Sequence, residues 1–141
     1  MKQDFDRRIS IVVNKELPAW QVLNAVAHIS AYFGNKTGSN FDTGEFFTTR
    51  DGVDYPRNSQ YAIIILSAKP DQLASFAGAV RSATGVQSMY FIREMIETTD
   101  DQKIIDTLQK KDANDVEFLG VGIFGENGRL KELTKHFRLW S

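Results

Sequence analysis

At 141 residues the chain has room for one domain with a sizeable core and too little for two comfortable ones. Hydrophobic residues are 42% and charged residues 25%, which excludes a disordered chain, and a formal charge of -1 leaves no global basic field to draw in a phosphate backbone, so nucleic acid is not an expected partner. With no cysteine, disulfides, thiolate catalysis and Cys-ligated zinc are excluded, and a reducing, cytoplasmic location is expected.

The opening MKQDFDRR is polar and charged and has no signal-peptide core, and no stretch downstream reads as a membrane span. Ile9, Ile11, Val12 and Val13 then form a β-branched run without alternation, the pattern of a strand buried on both faces and therefore central in its sheet. Residues 14–17 make a tight connection, and Pro18 suits the start of a helix because its missing N–H costs nothing there. On a 3.6-residue period Val22, Val26, Ile29 and Phe33 share one face and Trp20, Leu23, Ala27 and Ala31 a second. Only a narrow polar strip remains: Gln21, Asn24 and His28, with Tyr32 beyond. A helix this apolar is expected to be largely covered, and its polar strip then needs partners.

Residues 34–60 lose periodicity and are rich in Gly, Asn, Ser, Thr and Asp, the composition of a long loop. Phe41, Phe46, Phe47 and Tyr55 are many aromatics for a solvated linker, so the segment is expected to fold back on the body as a flap or edge element, with a short strand near residues 45–49. Asp42, Glu45, Asp51 and Asp54 offer too few oxygen ligands in any one short stretch for a cation, and Asp51-Gly52 reads as a turn; no metal is expected.

YAIIILSA, residues 61–68, is the most apolar run and reads as a second buried strand. Pro70 opens a second helix through Leu73, Phe76, Ala77 and Val80, with Gly85 placed for a left-handed ending. Residues 86–96 alternate loosely through Met89, Phe91 and Met95 and read as a third strand. Thr99 with Gln102 has the spacing of a capping box, which starts a third helix ending near Lys110 and Lys111. VEFLGVGIF, residues 116–124, reads as a fourth strand followed by a turn over 125–128; Gly120 and Gly122 share one of its faces, which must then lie close to another backbone. The ending reads as a helical turn and a last short strand, with Leu139 and Trp140 either packed or forming a contact between two copies.

Strands separated by helices imply a single α/β layered domain over residues 1–141, with a mixed, mostly parallel sheet and helices on both faces. In such sheets ligands sit beyond the carboxyl ends of the strands, which brings Asn14 and Lys15 near the expected pocket.

LPAWQVLNAVAHISAYFG, the DGVDYP segment, the YAIIILSA strand and the ending FLGVGIFGENGRLKELTKHFRLW together resemble the bacterial family called Domain of Unknown Function 2000, nearly end to end. That family resembles the class-two peptidyl-tRNA hydrolases, which implies a four-stranded mixed sheet between helices. In those enzymes a turn and helix carry Gly-Lys-x-x-Ala-Gln-x-x-His-Ala; His28 matches the histidine, whereas Gln21 stands where the lysine belongs and Ala25 where the glutamine belongs. A neutral amide cannot stabilise developing charge as a lysine does.

Two functions from different classes follow. One is a small-molecule or peptide-binding module, expected as a homodimer, with its pocket between the start of the first helix and the long flap and with Gln21, Asn24, Lys15 and Asn14 as ligand contacts. The other is a hydrolase of an ester or amide bond that uses His28, as a general base, with the Gln21 and Asn24 amides and a positioned water. No cofactor is implied, and no serine, cysteine or acid at a recognisable spacing completes a triad around His28.

Overall fold

The computed structural model describes residues 3–38 and 46–141. The chain runs β1 (Asp4–Asn14), α1 (Ala19–Thr37), β2 (Phe46–Thr48), β3 (Asp54–Pro56), β4 (Tyr61–Ala68), α2 (Pro70–Ser82), β5 (Gln87–Ile92), α3 (Arg93–Glu97) and α4 (Asp101–Leu108). A 3-10 turn, Ala113–Asp115, then leads into β6 (Phe118–Glu126), α5 (Asn127–Thr134) and β7 (Arg138–Leu139).

Five strands, one more than expected, form the main sheet in the order β5-β6-β1-β4-β7, with β1 inside it as its sequence requires. Pairing is parallel only between β1 and β4; β1 with β6, β5 with β6, and β4 with β7 are antiparallel. The sheet is mixed, but mostly antiparallel. Strands β1, β4 and β5 do share a direction, as strand-helix-strand units should, yet β6 inserts between β1 and β5 and separates them. It can return antiparallel beside β5 because the intervening α4 buries no residue and so does not carry the chain back across the sheet.

Both faces are covered. Ile9, Ile11 and Val13 of β1 meet Val22, Ala25, Ile29 and Phe33 of α1 on one side; Val12 joins Leu73, Phe76, Ala77 and Val80 of α2 and Leu130 of α5 on the other. Gly120 and Gly122 admit α1 to close range. A side-chain carbon built on Gly122 would lie 2.2 Å from Ile29 Cγ2 and 2.8 Å from Phe33 Cε2.

Several local expectations change. Residues 93–97 are helical, because Met95 and Ile96 continue an apolar pattern that a short window reads equally as strand. The cap of α4 is Asp100, whose carboxylate accepts from the N–H groups of Gln102 and Lys103, in place of the Thr99 pair. Strand β6 continues through residue 126 with no turn before α5. The long segment contains a hairpin, β2 with β3, closed by Gly52 at φ +91° and by Thr49, whose hydroxyl accepts from Val53 N–H. Asp51 and Asp54 accept from the Thr49 and Thr48 hydroxyls, which is turn chemistry. Phe46, Phe47 and Tyr55 are exposed, so these aromatics do not fold back on the body; Phe41, Asp42 and Glu45 lie outside the described residues.

Candidate functional site

Helix α1 is covered on one flank only. Val22, Ala25, Ile29 and Phe33 are buried, but Trp20 is 61% and Leu23 59% exposed, which corrects the expectation of a largely covered helix. A single helix over a sheet buries one stripe, and no element in the described residues packs on the second. What lies beside that second stripe is a groove of about 710 Å³. Its walls are Trp20, Asn24 and His28 from α1, Met89 and Phe91 from β5, Met95 and Ile96 from α3, then Thr98, Thr99, Asp101, Ile104 and Ile105 leading into α4.

The imidazole of His28 stacks nearly flat on Phe91, centroids 5.0 Å apart and planes 18° from parallel, so its ring edge faces outward. Neither His28 nor Asn24 makes a side-chain hydrogen bond among the described residues, so both can bond a visitor. Asp101, in the first turn of α4, is the one carboxylate in the lining. Two methionines and a tryptophan give the groove an adaptable, polarizable wall.

Of the five candidate residues, Asn24 and His28 come together here. Gln21 is a neighbour and not a wall: its Oε1 accepts from Arg93 Nη1 at 3.1 Å. Arg93 also grips Glu117 with two bonds, 2.8 and 3.2 Å, which raises the guanidinium pKa and lowers that of the carboxyl. Gln21 thereby fastens α1 to the start of α3. Asn14 is buried, and its Oδ1 accepts from Glu16 N–H at 2.9 Å, an Asx turn that shapes the β1-to-α1 connection. The Lys15 backbone N–H donates to the carbonyl of Ala68, and its side chain is exposed. Neither residue lines the groove, which lies beside α1 rather than over the strand ends and is walled by α3 and α4 rather than by the hairpin.

Glu94 holds the far side of the site. Its side chain is buried and its Oε1 accepts from Lys111 Nζ at 2.5 Å, tying α3 to the chain that follows α4. Burial raises the pKa of this carboxyl, but the lysine bond and the helix backbone outweigh it, and the net shift is downward. Among the described residues no group of three or more His, Asp or Glu side chains could hold a metal ion, and no helix is long and apolar enough to cross a membrane.

Sequence reasoning missed Trp20, Met89, Thr98, Thr99 and the α4 isoleucines as groove residues. The local signal was present at α4, whose Ile104 and Ile105 form an apolar stripe on a helix too short to bury it.

A mixed sheet covered by helices on both faces, with a lateral, largely apolar groove beside α1, carries no reaction signature of its own. The chain belongs to the family of proteins of unknown function called DUF2000, whose family model matches residues 7–141. Its fold is similar to that of a solved protein of unknown function from Agrobacterium tumefaciens, with a TM-score of 0.80 at 20% identity over 98% of this chain and 100% of that one. No functionally curated protein is significantly similar to it in sequence.

Proposed function

We propose that this chain is a binding module whose groove takes a small amphipathic molecule or a short apolar peptide. One observation carries the reading: the Asn24 and His28 side chains, with no hydrogen-bond partner among the described residues, stand in a groove otherwise walled by Trp20, Met89, Met95 and the α4 isoleucines. An apolar ligand body would lie on the tryptophan and methionines, and its polar end would meet the amide and imidazole. Gln21 acts indirectly, by fixing α1 against α3 through Arg93. Asn14 and Lys15 shape the turn that sets the angle of α1.

The test is a metabolite and peptide screen by thermal shift on the wild-type chain, repeated with Asn24→Ala and His28→Ala. A ligand at one hundred times its Kd stabilises by about 2.7 kcal/mol, an easily read rise in Tm. Hits that lose their shift in both variants support the groove; hits that keep it place binding elsewhere.

Hydrolysis is the weaker reading. It needs a second acid or base within reach of the His28 imidazole, and that side chain makes no hydrogen bond among the described residues. The likeness to the class-two peptidyl-tRNA hydrolases supports an arrangement of strand, turn and helix, while Gln21 in place of the lysine argues against their chemistry.

A homodimer is part of the same proposal. Leu139 is 69% exposed, whereas Trp140 is partly buried against the core, so the contact suggested for that pair falls chiefly to Leu139. Strand β7 pairs with β4 at Leu66 and Ser67, and Trp140 N–H donates to the Ile65 carbonyl, which leaves Ala62 and Ile63 exposed. Sedimentation of the wild type against Ile63→Lys decides it: a dimer that dissociates in the variant supports the reading, and a wild-type monomer at high concentration rejects it.

A further inference from the structure

On the opposite side of the sheet a second cleft runs between α2 and the chain entering β6. It has two lobes of about 420 and 350 Å³ that share Arg81, Ala113, Val116 and Phe118. Three features of it have no explanation within the chain.

Gly78 lies in the middle of α2 and lines the first lobe, yet a side-chain carbon built there would meet no atom within 4 Å. Glycine weakens a helix interior relative to alanine, and here nothing inside the molecule requires it. It leaves backbone bare where the cleft is open. Arg81, one turn further along, lines both lobes and has neither an ion-pair nor a hydrogen-bond partner among the described residues. Its place in the last turn suits the helix dipole, which accounts for its sign but not for the glycine. Tyr90, in the wall of the second lobe, carries a hydroxyl shut off from solvent with no hydrogen-bond partner, a condition that buried hydroxyls rarely tolerate.

We propose that this cleft binds a small organic oxyanion, a carboxylate or phosphate group carried on a short apolar body. Arg81 takes the anion through its planar fork of donors. The apolar body lies across the bare helix at Gly78 and against Phe118. The Tyr90 ring extends the apolar wall in the second lobe. The site is separate from the groove beside α1 and shares no lining residue with it.

The experiment titrates the full chain, labelled with nitrogen-15, with octanoate, octyl phosphate, octanol and acetate, following the backbone amides of residues 78, 81 and 116. Saturable shifts are expected with one or both octyl anions, and none with octanol or acetate at the same concentrations. The preferred anion identifies the headgroup. Arg81→Gln, a substitution at an exposed position, should weaken anion binding about tenfold. Gly78→Ala should raise Tm while weakening binding, an opposition that a merely structural glycine would not produce. Absence of shifts with both octyl anions overturns the proposal, as does an unchanged affinity in either variant.

Discussion

The two faces of the sheet solve the same burial problem differently. On one, α1 alone comes down onto the glycines of β6, so closely that Ile29 occupies the space a Gly122 side chain would need. On the other, α2 and α5 share the cover, and Val121 and Ile123 of the same strand interdigitate with them in the ordinary way. The close approach gives α1 its position but leaves the helix bare along Trp20 and Leu23, and the groove exists because no second helix fills that flank. The paired helices bury more of their own residues, and the smaller cleft on that face lies on the flank of α2 away from α5, lined by a glycine that nothing among the described residues requires. Crowding and vacancy therefore mark the two candidate sites for opposite reasons.

Substitution of the β6 glycines breaks the crowded face most directly. Gly122→Ala places a carbon 2.2 Å from Ile29 Cγ2, a branch fixed to the side chain's own Cβ, so the helix itself must move; we expect a loss of about 3 kcal/mol in urea denaturation. Gly120→Ala comes closest to the flexible Cδ1 end of Ile29, at 3.1 Å, with Ala25 Cβ and the Val12 carbonyl at an ordinary 3.6 Å, and should cost about 1 kcal/mol. Adding Ile29→Ala to Gly122→Ala should give a double variant more stable than the sum of the two losses, because the clashing methyl is gone. An additive double variant would mean that the two residues do not press on each other.

Next in size is the turn that aims α1. Asn14→Ala removes the acceptor for Glu16 N–H in a buried turn and should lower stability by about 1 kcal/mol without direct effect on the groove. If ligands of the groove lose affinity in this variant by more than its stability change explains, Asn14 regains the contact role that its place in the sequence suggested.

Smaller still, and dependent on pH, is the tie between Glu94 and Lys111. The Glu94 pKa lies below its ordinary 4.5 in the folded chain, so the stability it contributes is complete above pH 4.5 and is lost as pH falls through the folded value. Glu94→Gln cannot titrate. The stability gap between wild type and variant, measured by urea denaturation across pH 3 to 7, should be widest above 4.5 and close toward the acid end. A gap independent of pH would show that packing, not charge, holds α3 to the segment after α4.

These contrasts also show what the sequence could disclose. The run from Ile9 to Val13 announced a central strand because only a strand covered on both faces can be apolar at successive positions, and β1 has that place. The shared face of Gly120 and Gly122 announced a close neighbour, since side chains repeat every second residue, but the identity of Ile29 as that neighbour depends on tertiary geometry. Strand direction was half legible: the helices between strands fixed which strands run the same way, whereas the insertion of β6 between β1 and β5 is a long-range choice with no local mark. In the polar strip of α1, spacing placed Gln21, Asn24 and His28 on one line, yet the Arg93 that claims Gln21 comes from 72 residues away. Residues 98–105 could not be seen as a wall of the same site, because an apolar stripe on a short helix reads alike whether it is buried or left open.

The smallest expected change in stability comes with the largest expected change in binding. Trp20 is mostly exposed and packs on the groove side of α1, so Trp20→Ala should leave the urea midpoint within the equivalent of about 0.5 kcal/mol. The chain has one other tryptophan, Trp140, partly buried against the core, so quenching or enhancement of Trp20 emission reports directly on occupancy of the groove. A ligand of the groove should change the emission of the wild type, leave that of Trp20→Ala unaltered, and lose its thermal stabilisation in the variant. The crowded face predicts the reverse for its own residues, with stability lost and no new surface gained. A Trp20→Ala chain that unfolds far more easily would mean that the bare flank of α1 is structural, and the groove would then be a seam in the packing without a ligand of its own.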